Sequence, residues 1–200
     1  MKRVPLLLIV LLILSSCGKS KDEAGNTRTD SKGQAQQSVQ DEQPQETQAG
    51  EVRPFSEFER LVGASLRPYF NQEGTDSLKT VAPGDYFDLY VFAEFNKDFG
   101  MMAAEYKLVV PLGITVLGSD HADITKLSLG SYDVDFMIAF QCLRERRWLV
   151  KYQCKADDDF EGGVIETIEG QNLNFIGYSM CDGQGTEVRA WGGVAEVVKK

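Results

Sequence analysis

Apolar and polar positions alternate along most of the chain after residue 85. Phe87, Leu89, Val91, Ala93 and Phe95 form one wholly apolar file, and Tyr86, Asp88, Tyr90, Phe92 and Glu94 form the other. A period of two puts these files on opposite faces of a strand, with the apolar file toward a core. Met102, Ala104, Tyr106, Leu108 and Val110 repeat the pattern until Pro111 and Gly113 break or bulge it. Residues 114–117 continue briefly, and 118–123 read as a polar loop. Val134, Phe136, Ile138, Phe140 and Cys142 then share one face, as do Trp148, Val150, Tyr152 and Cys154. The charged run 144–147 between these two files reads as the tip of an antiparallel hairpin. Residues 164–168, 172–181 and 190–198 supply three more strands, punctuated by Gly170 and Asp182-Gly183-Gln184-Gly185.

Upstream, Phe55, Phe58, Leu61, Val62 and Leu66 follow helical spacing, and Ser56 with Glu59 fits a capping box. A short helix over about 56–62 is expected, ended by Gly63. Residues 64–70 read as a first strand, closed by the turn-like Asn71-Gln72-Glu73-Gly74. Eight or nine short strands with almost no helix argue for an all-β fold, an antiparallel two-sheet sandwich of immunoglobulin-like or jelly-roll type.

The first residues follow a different pattern. Lys2 and Arg3 precede an unbroken apolar run over 6–14, followed by Ser15, Ser16 and Cys17. The run is too short to cross a hydrocarbon core and reads as a signal peptide. Leu14-Ser15-Ser16-Cys17 resembles the bacterial lipobox. That resemblance implies export, cleavage after residue 16, diacylglycerol on the Cys17 sulfur and acylation of the new amino group. It places the protein in the cell envelope, with the membrane as a partner through the lipid on Cys17. Gly18, rather than Asp, is compatible with sorting to the outer membrane. Residues 18–53 contain no aromatic residue and only Val39 and Val52 as branched aliphatics. Such a stretch cannot offset its ordering entropy, so 17–53 should be a lipidated, disordered tether reaching roughly 30–40 Å. The folded domain is expected over 54–200.

The formal charge of −9 includes Lys2 and Arg3, and removing those two positive charges gives −11 for the processed chain. An acidic protein repels phosphate backbones, so no nucleic-acid partner is expected. With Cys17 assigned to lipid, Cys142, Cys154 and Cys181 remain. One disulfide and one free thiol suit an oxidising compartment. We expect Cys154–Cys181, both near strand ends, with Cys142–Cys154 as the alternative. Cys142 is then left as a buried thiol on the core face.

Candidate chemistry is thin. Asp157, Asp158, Asp159 and Glu161 are weak candidates for a calcium loop, since their spacing is not that of an EF-hand. A solvated acidic loop is the plainer reading, and no metal or other cofactor is expected. Arg144, Arg146, Arg147 and Lys151 form a basic island that could recognise an acidic partner. Tyr86, Tyr90 and Phe92, with Trp148 and Trp191, could stack sugar rings or fill a core. His121 is the only histidine and, with Asp120 and Asp123, reads as part of a polar loop. No nucleophile elbow, P-loop, HExxH or dinucleotide fingerprint occurs.

Residues 81–91, Val-Ala-Pro-Gly-Asp-Tyr-Phe-Asp-Leu-Tyr-Val, look like the opening of cohesin-like domains, where a Gly-Asp turn precedes a strand. Residues 103–111 look like the family's next strand, ending near a proline. The resemblance spans about 80–198 and implies a sandwich of the cohesin and carbohydrate-binding-module type. The expected function is a non-catalytic binding or structural module with a protein or glycan partner. The alternative is a carbohydrate-active or other hydrolytic lipoprotein using an Asp/Glu pair.

Overall fold

The computed structural model describes residues 54–170 and 176–200. The expected signal peptide, the lipid-bearing Cys17 and the tether through residue 53 lie outside the described residues, as does the start of the strand expected over 172–181.

The chain opens with α1 (Glu57–Val62), six residues that are far too few to persist alone. Two things fix it. Ser56 Oγ accepts from the Glu59 N–H at 3.2 Å while the Glu59 carboxylate accepts from the Ser56 N–H at 2.7 Å, completing the capping box. Gly63, in the left-handed region at φ 59°, closes the other end and donates to the Glu59 carbonyl. The helix is anchored by Val62, which is fully buried.

Twelve strands follow: β1 (Ser65–Tyr69), β2 (Leu78–Val81), β3 (Tyr86–Glu94), β4 (Met101–Val109), β5 (Ile114–His121) and β6 (Thr125–Ser131), then β7 (Asp135–Leu143), β8 (Arg147–Ala156), β9 (Gly163–Ile168), β10 (Ile176–Met180), β11 (Glu187–Gly192) and β12 (Val194–Lys199). They form a two-layer β-sandwich. One layer runs β5-β8-β3-β1, and the other runs β6-β7-β4-β10-β11. The layers are stitched together by strands that change partner along their length. β11 pairs with β10 over its first residues and then, through Trp191 and Gly192, runs parallel to β1. β4 pairs with β10 over its first half and with β9 over Lys107, Leu108 and Val109. β9 carries on to β12 and β2.

The apolar files meet between the layers. Phe87, Leu89, Val91 and Ala93 of β3 are buried there with Ala104, Tyr106 and Leu108 of β4, as the alternation requires. Tyr106 and Tyr152 are both buried and their hydroxyls share a hydrogen bond of 2.9 Å. The Tyr178 hydroxyl donates to the Ser65 carbonyl at 2.9 Å. Each buried phenol thus has a partner, which is the condition for placing it in a core.

The structure corrects several expectations. β7 and β8 are not a hairpin: β7 pairs with β4 and β6, and β8 with β3 and β5, so residues 144–146 cross from one layer to the other. The polar stretch 118–123 is largely strand, since β5 continues through His121 as the edge of its layer. The segment 190–198 breaks at Gly193 into two strands. A Cβ on Gly193 would lie 2.7 Å from Arg67 Cγ and 2.8 Å from its Cα, so only glycine lets β1 approach. Phe92, assigned to the outer file of β3, is buried. It lies beneath the Arg146 guanidinium, whose centre is 4.4 Å from its ring, and edge-on to Tyr69.

The disulfide is Cys142–Cys181, with Cα atoms 5.7 Å apart, and Cys154 is the free, buried thiol. The expected Cys154–Cys181 bridge fails because Cys154, though near the end of β8, points into the core opposite Phe87 of β3. Cys142 faces outward because the β4–β7 ladder slips between Met101 and Ala103, so Leu143 rather than Cys142 takes the inward position. β7 and β10 both flank β4, and the bridge passes over its start. A Cβ on Gly100 would lie 2.8 Å from Cys142 Sγ and 2.9 Å from Cys181 Sγ, so the missing side chain makes room for the crossing.

Candidate functional site

The basic island does not present free cations as a group. Arg146 donates to Glu94 at 2.7 Å and to the Glu73 carbonyl at 3.0 Å, and it also reaches the Gly74 carbonyl. Burial works against its charge, but hydrogen bonds to Glu94 and Tyr69 outweigh that and raise its pKa. Arg147 pairs with Asp123, and Lys151 with Asp120 at 2.8 Å. Arg144 remains exposed at the crossing between layers. The acidic loop is likewise divided. Asp157 accepts from Thr115 at 2.7 Å, Glu161 pairs with Lys199 at 2.7 Å, and Asp158 and Asp159 face solvent. Among the described residues no three carboxylate, cysteine or histidine side chains are grouped to hold a metal ion.

The aromatic candidates are also dispersed. Tyr90 stands edge-on to Trp148 at 5.9 Å, and burial followed by the Asp88 charge raises its pKa. Trp191 stacks on Phe55 at 3.9 Å, holding the start of the described chain against β11. His121 lies parallel to Phe136 at 5.9 Å.

The structure builds a different surface, which alternation alone produces. On β7, Phe136 and Ile138 turn inward, so Asp135, Met137 and Ala139 turn outward. Ladder register aligns these with their neighbours into two rows across five strands. One row is Leu129, Met137, Glu105, Gly177 and Arg189. The next is Leu127, Ala139, Ala103, Ser179 and Glu187. Leu127, Leu129, Met137 and Val134 are 51%, 53%, 44% and 41% exposed, so one end of this face is an apolar patch.

Glu105 sits in the middle of it and is only 8% exposed. Its Oε1 is buried and receives no hydrogen bond. It lines a hollow of about 130 Å³ with Ala103, Met137, Gly177, Ser179 and Glu187. On the other side of Met137, Glu105 and Asp135 line a wider depression with Leu129 and Val134. Burial, then the Asp135 carboxyl within hydrogen-bonding reach, then the Glu187 charge, hold Glu105 above the ordinary carboxylate range. Asp135 owes its place to Gly170, where a Cβ would meet Asp135 Oδ1 at 1.7 Å. The sequence singled out none of these residues. Glu105 reads there as a routine outward position between Ala104 and Tyr106, and its burial comes from strands far away in the chain.

The two-layer β-sandwich is cohesin-like in fold. The similar solved structures include a chain of the Coh-OlpC–Doc435 type I cohesin–dockerin complex from Clostridium thermocellum, at 12% identity and a TM-score of 0.50, covering 76% of this chain and all of that one. A cohesin module from the Clostridium perfringens family 33 glycoside hydrolase matches at 15% identity and a TM-score of 0.50, covering 70% of this chain and 99% of the module. The third ScaB cohesin of R. flavefaciens, solved with a group 1 dockerin, matches at 9% identity and a TM-score of 0.50, over 70% of this chain and 96% of that one. No family model matches the chain, and no curated protein matches it.

Proposed function

We propose that this chain is a membrane-anchored lipoprotein whose β-sandwich is a non-catalytic module for docking another protein. The observation that carries the reading is the outward face of β6-β7-β4-β10, where Leu127, Leu129, Val134 and Met137 stand exposed beside the small residues Ala103, Ala139 and Gly177. An exposed apolar field beside small residues suits a folded protein partner. Two of the similar structures are cohesin–dockerin complexes, which supports the docking of a protein. The Leu14-Ser15-Ser16-Cys17 motif supports anchoring through Cys17 in the envelope, and Gly18 is compatible with outer-membrane sorting.

Hydrolysis by an Asp/Glu pair fits the molecule less well. Glycoside hydrolases hold their two carboxyls about 5–10 Å apart to admit substrate or water. Glu105 and Asp135 are within hydrogen-bonding reach of each other, too close to admit either.

Docking is tested by placing a photo-crosslinking amino acid at Leu129 in the full chain, in its native envelope, with Leu117 on β5 as the control. A discrete protein adduct from position 129 alone is expected. No adduct, or the same adduct from both positions, overturns the reading. Anchoring is tested by labelling with an alkyne fatty acid. The wild type should take up label and partition with membranes, and Cys17→Ser should do neither.

A further inference from the structure

The apolar face carries at its centre an acid that an apolar partner alone would leave unpaired. Glu105 is more than nine-tenths buried and its Oε1 has no donor. Burying a carboxylate without a donor is costly, and a partner lacking one would bury it further. The groups facing it are Asp135 from β7 and Glu187 from β11, both acidic, while β10 offers only Gly177 and Ser179. Two cations share its strand or row, Lys107 two residues along β4 and Arg189 across β10. Arg189 is engaged elsewhere: its guanidinium lies 4.5 Å from the centre of the Phe55 ring, and its backbone N–H donates to Glu59. β6 brings Leu129 and Ser131 to this side.

We propose that the Glu105 recess receives the ammonium or guanidinium group of a lysine or arginine presented by the docked protein. The inference rests on the docking reading and adds the chemistry of the partner. Glu105 and Glu187 line the recess and Asp135 lies on the other side of Met137, so the charge around it is of one sign, and the burial of Glu105 strengthens a charge-assisted hydrogen bond made there. In the free protein a proton on Glu105 relieves the cost of its burial beside acidic neighbours. A docked cation takes over that role and the proton leaves to solvent. Affinity therefore rises as pH climbs through the titration of Glu105 and falls below it.

The test selects binders from a phage-displayed dodecapeptide library against the folded full chain, then measures them by calorimetry. The targets are the wild type, Glu105→Gln and Leu127→Ser/Leu129→Ser. Selected peptides should carry a lysine or arginine among apolar residues. They should bind Glu105→Gln about tenfold more weakly or worse, and lose the pH dependence seen with the wild type. Asp135→Asn serves as a second variant, and cooperative unfolding shows that each is folded. Peptides that respond to Leu127→Ser/Leu129→Ser but bind both acid variants like the wild type would overturn the cation seat and leave the docking face standing. Peptides indifferent to all variants, or no selected peptide, would overturn both.

Discussion

The hydroxyls of Tyr106 and Tyr152 meet 2.9 Å apart in the interior, one reaching in from each layer of the sandwich. Burial above all drives both phenols well above their ordinary pKa, so the pair is neutral throughout the physiological range. Replacing either one with phenylalanine leaves the other hydroxyl buried without its partner, at about 1–3 kcal/mol. The double replacement should cost less than the sum of the singles. A double-mutant cycle in denaturant measures the coupling, and strictly additive losses would show that the contact does not hold the layers together.

The Cys142–Cys181 bridge spans 39 residues. On the chain-entropy model it is worth about 4 kcal/mol, so Cys142→Ser/Cys181→Ser should lower unfolding stability by roughly that amount. Non-reducing peptide mapping should link the Cys142 and Cys181 peptides. Gly100→Ala puts a methyl group against both sulfurs and should yield a large fraction of reduced chain.

Cys154 is buried, and burial pushes its thiol up to about 12. It should resist alkylation in the folded protein at pH 8 and react fully in denaturant. Rapid labelling without unfolding would contradict the inward placement on β8.

Glu105 gives a pH effect of defined sign. Its pKa is raised on folding, so the native state holds a proton there that the unfolded chain gives up more readily. Its unfavourable contribution is absent below the ordinary carboxylate pKa and grows as pH rises through the raised folded value. Thermal melts of Glu105→Gln should exceed the wild type at pH 7 and converge with it in acid. The same pH slope in both would refute the assignment.

Much of the architecture was legible where one residue type had one local meaning. Ser56, Glu59 and Gly63 specify α1 by themselves, because caps act within a single turn. The file from Phe87 to Ala93 specifies β3, because one of its faces is wholly buried. Strands exposed on both sides leave no such trace. β2, β5 and β6 are edges, so Ser119, Asp120 and Ser128 are as acceptable there as in a loop. Chain contiguity also misled at 144–147. The same alternation fits a hairpin and a crossing between layers, and only the pairing of β7 with β4 and of β8 with β3 separates them. The cysteine partners turned on the slipped ladder near Ala103, which no local pattern encodes.

Arg146 joins parts of the chain far apart in sequence, holding the turn at Glu73 and Gly74 to β3 through Glu94 and lying over Phe92. Arg146→Ala should cost roughly 1–2 kcal/mol and speed hydrogen exchange over residues 71–76. Arg146→Lys keeps the charge but loses the planar fork and should recover little of it.

Because Gly100 leaves space for a bridge between β7 and β10, the order of events during maturation is constrained. A polypeptide emerging N-terminus first offers Cys142 a thiol at Cys154 well before Cys181 appears. What keeps those two apart is the seating of β8 against β3, which turns Cys154 inward. Correct oxidation thus depends on packing that precedes it, and the native crosslink acts as a seal on a sandwich already assembled. An oxidase acting too early would trap a 142–154 species whose β7 and β8 could not separate into their two layers.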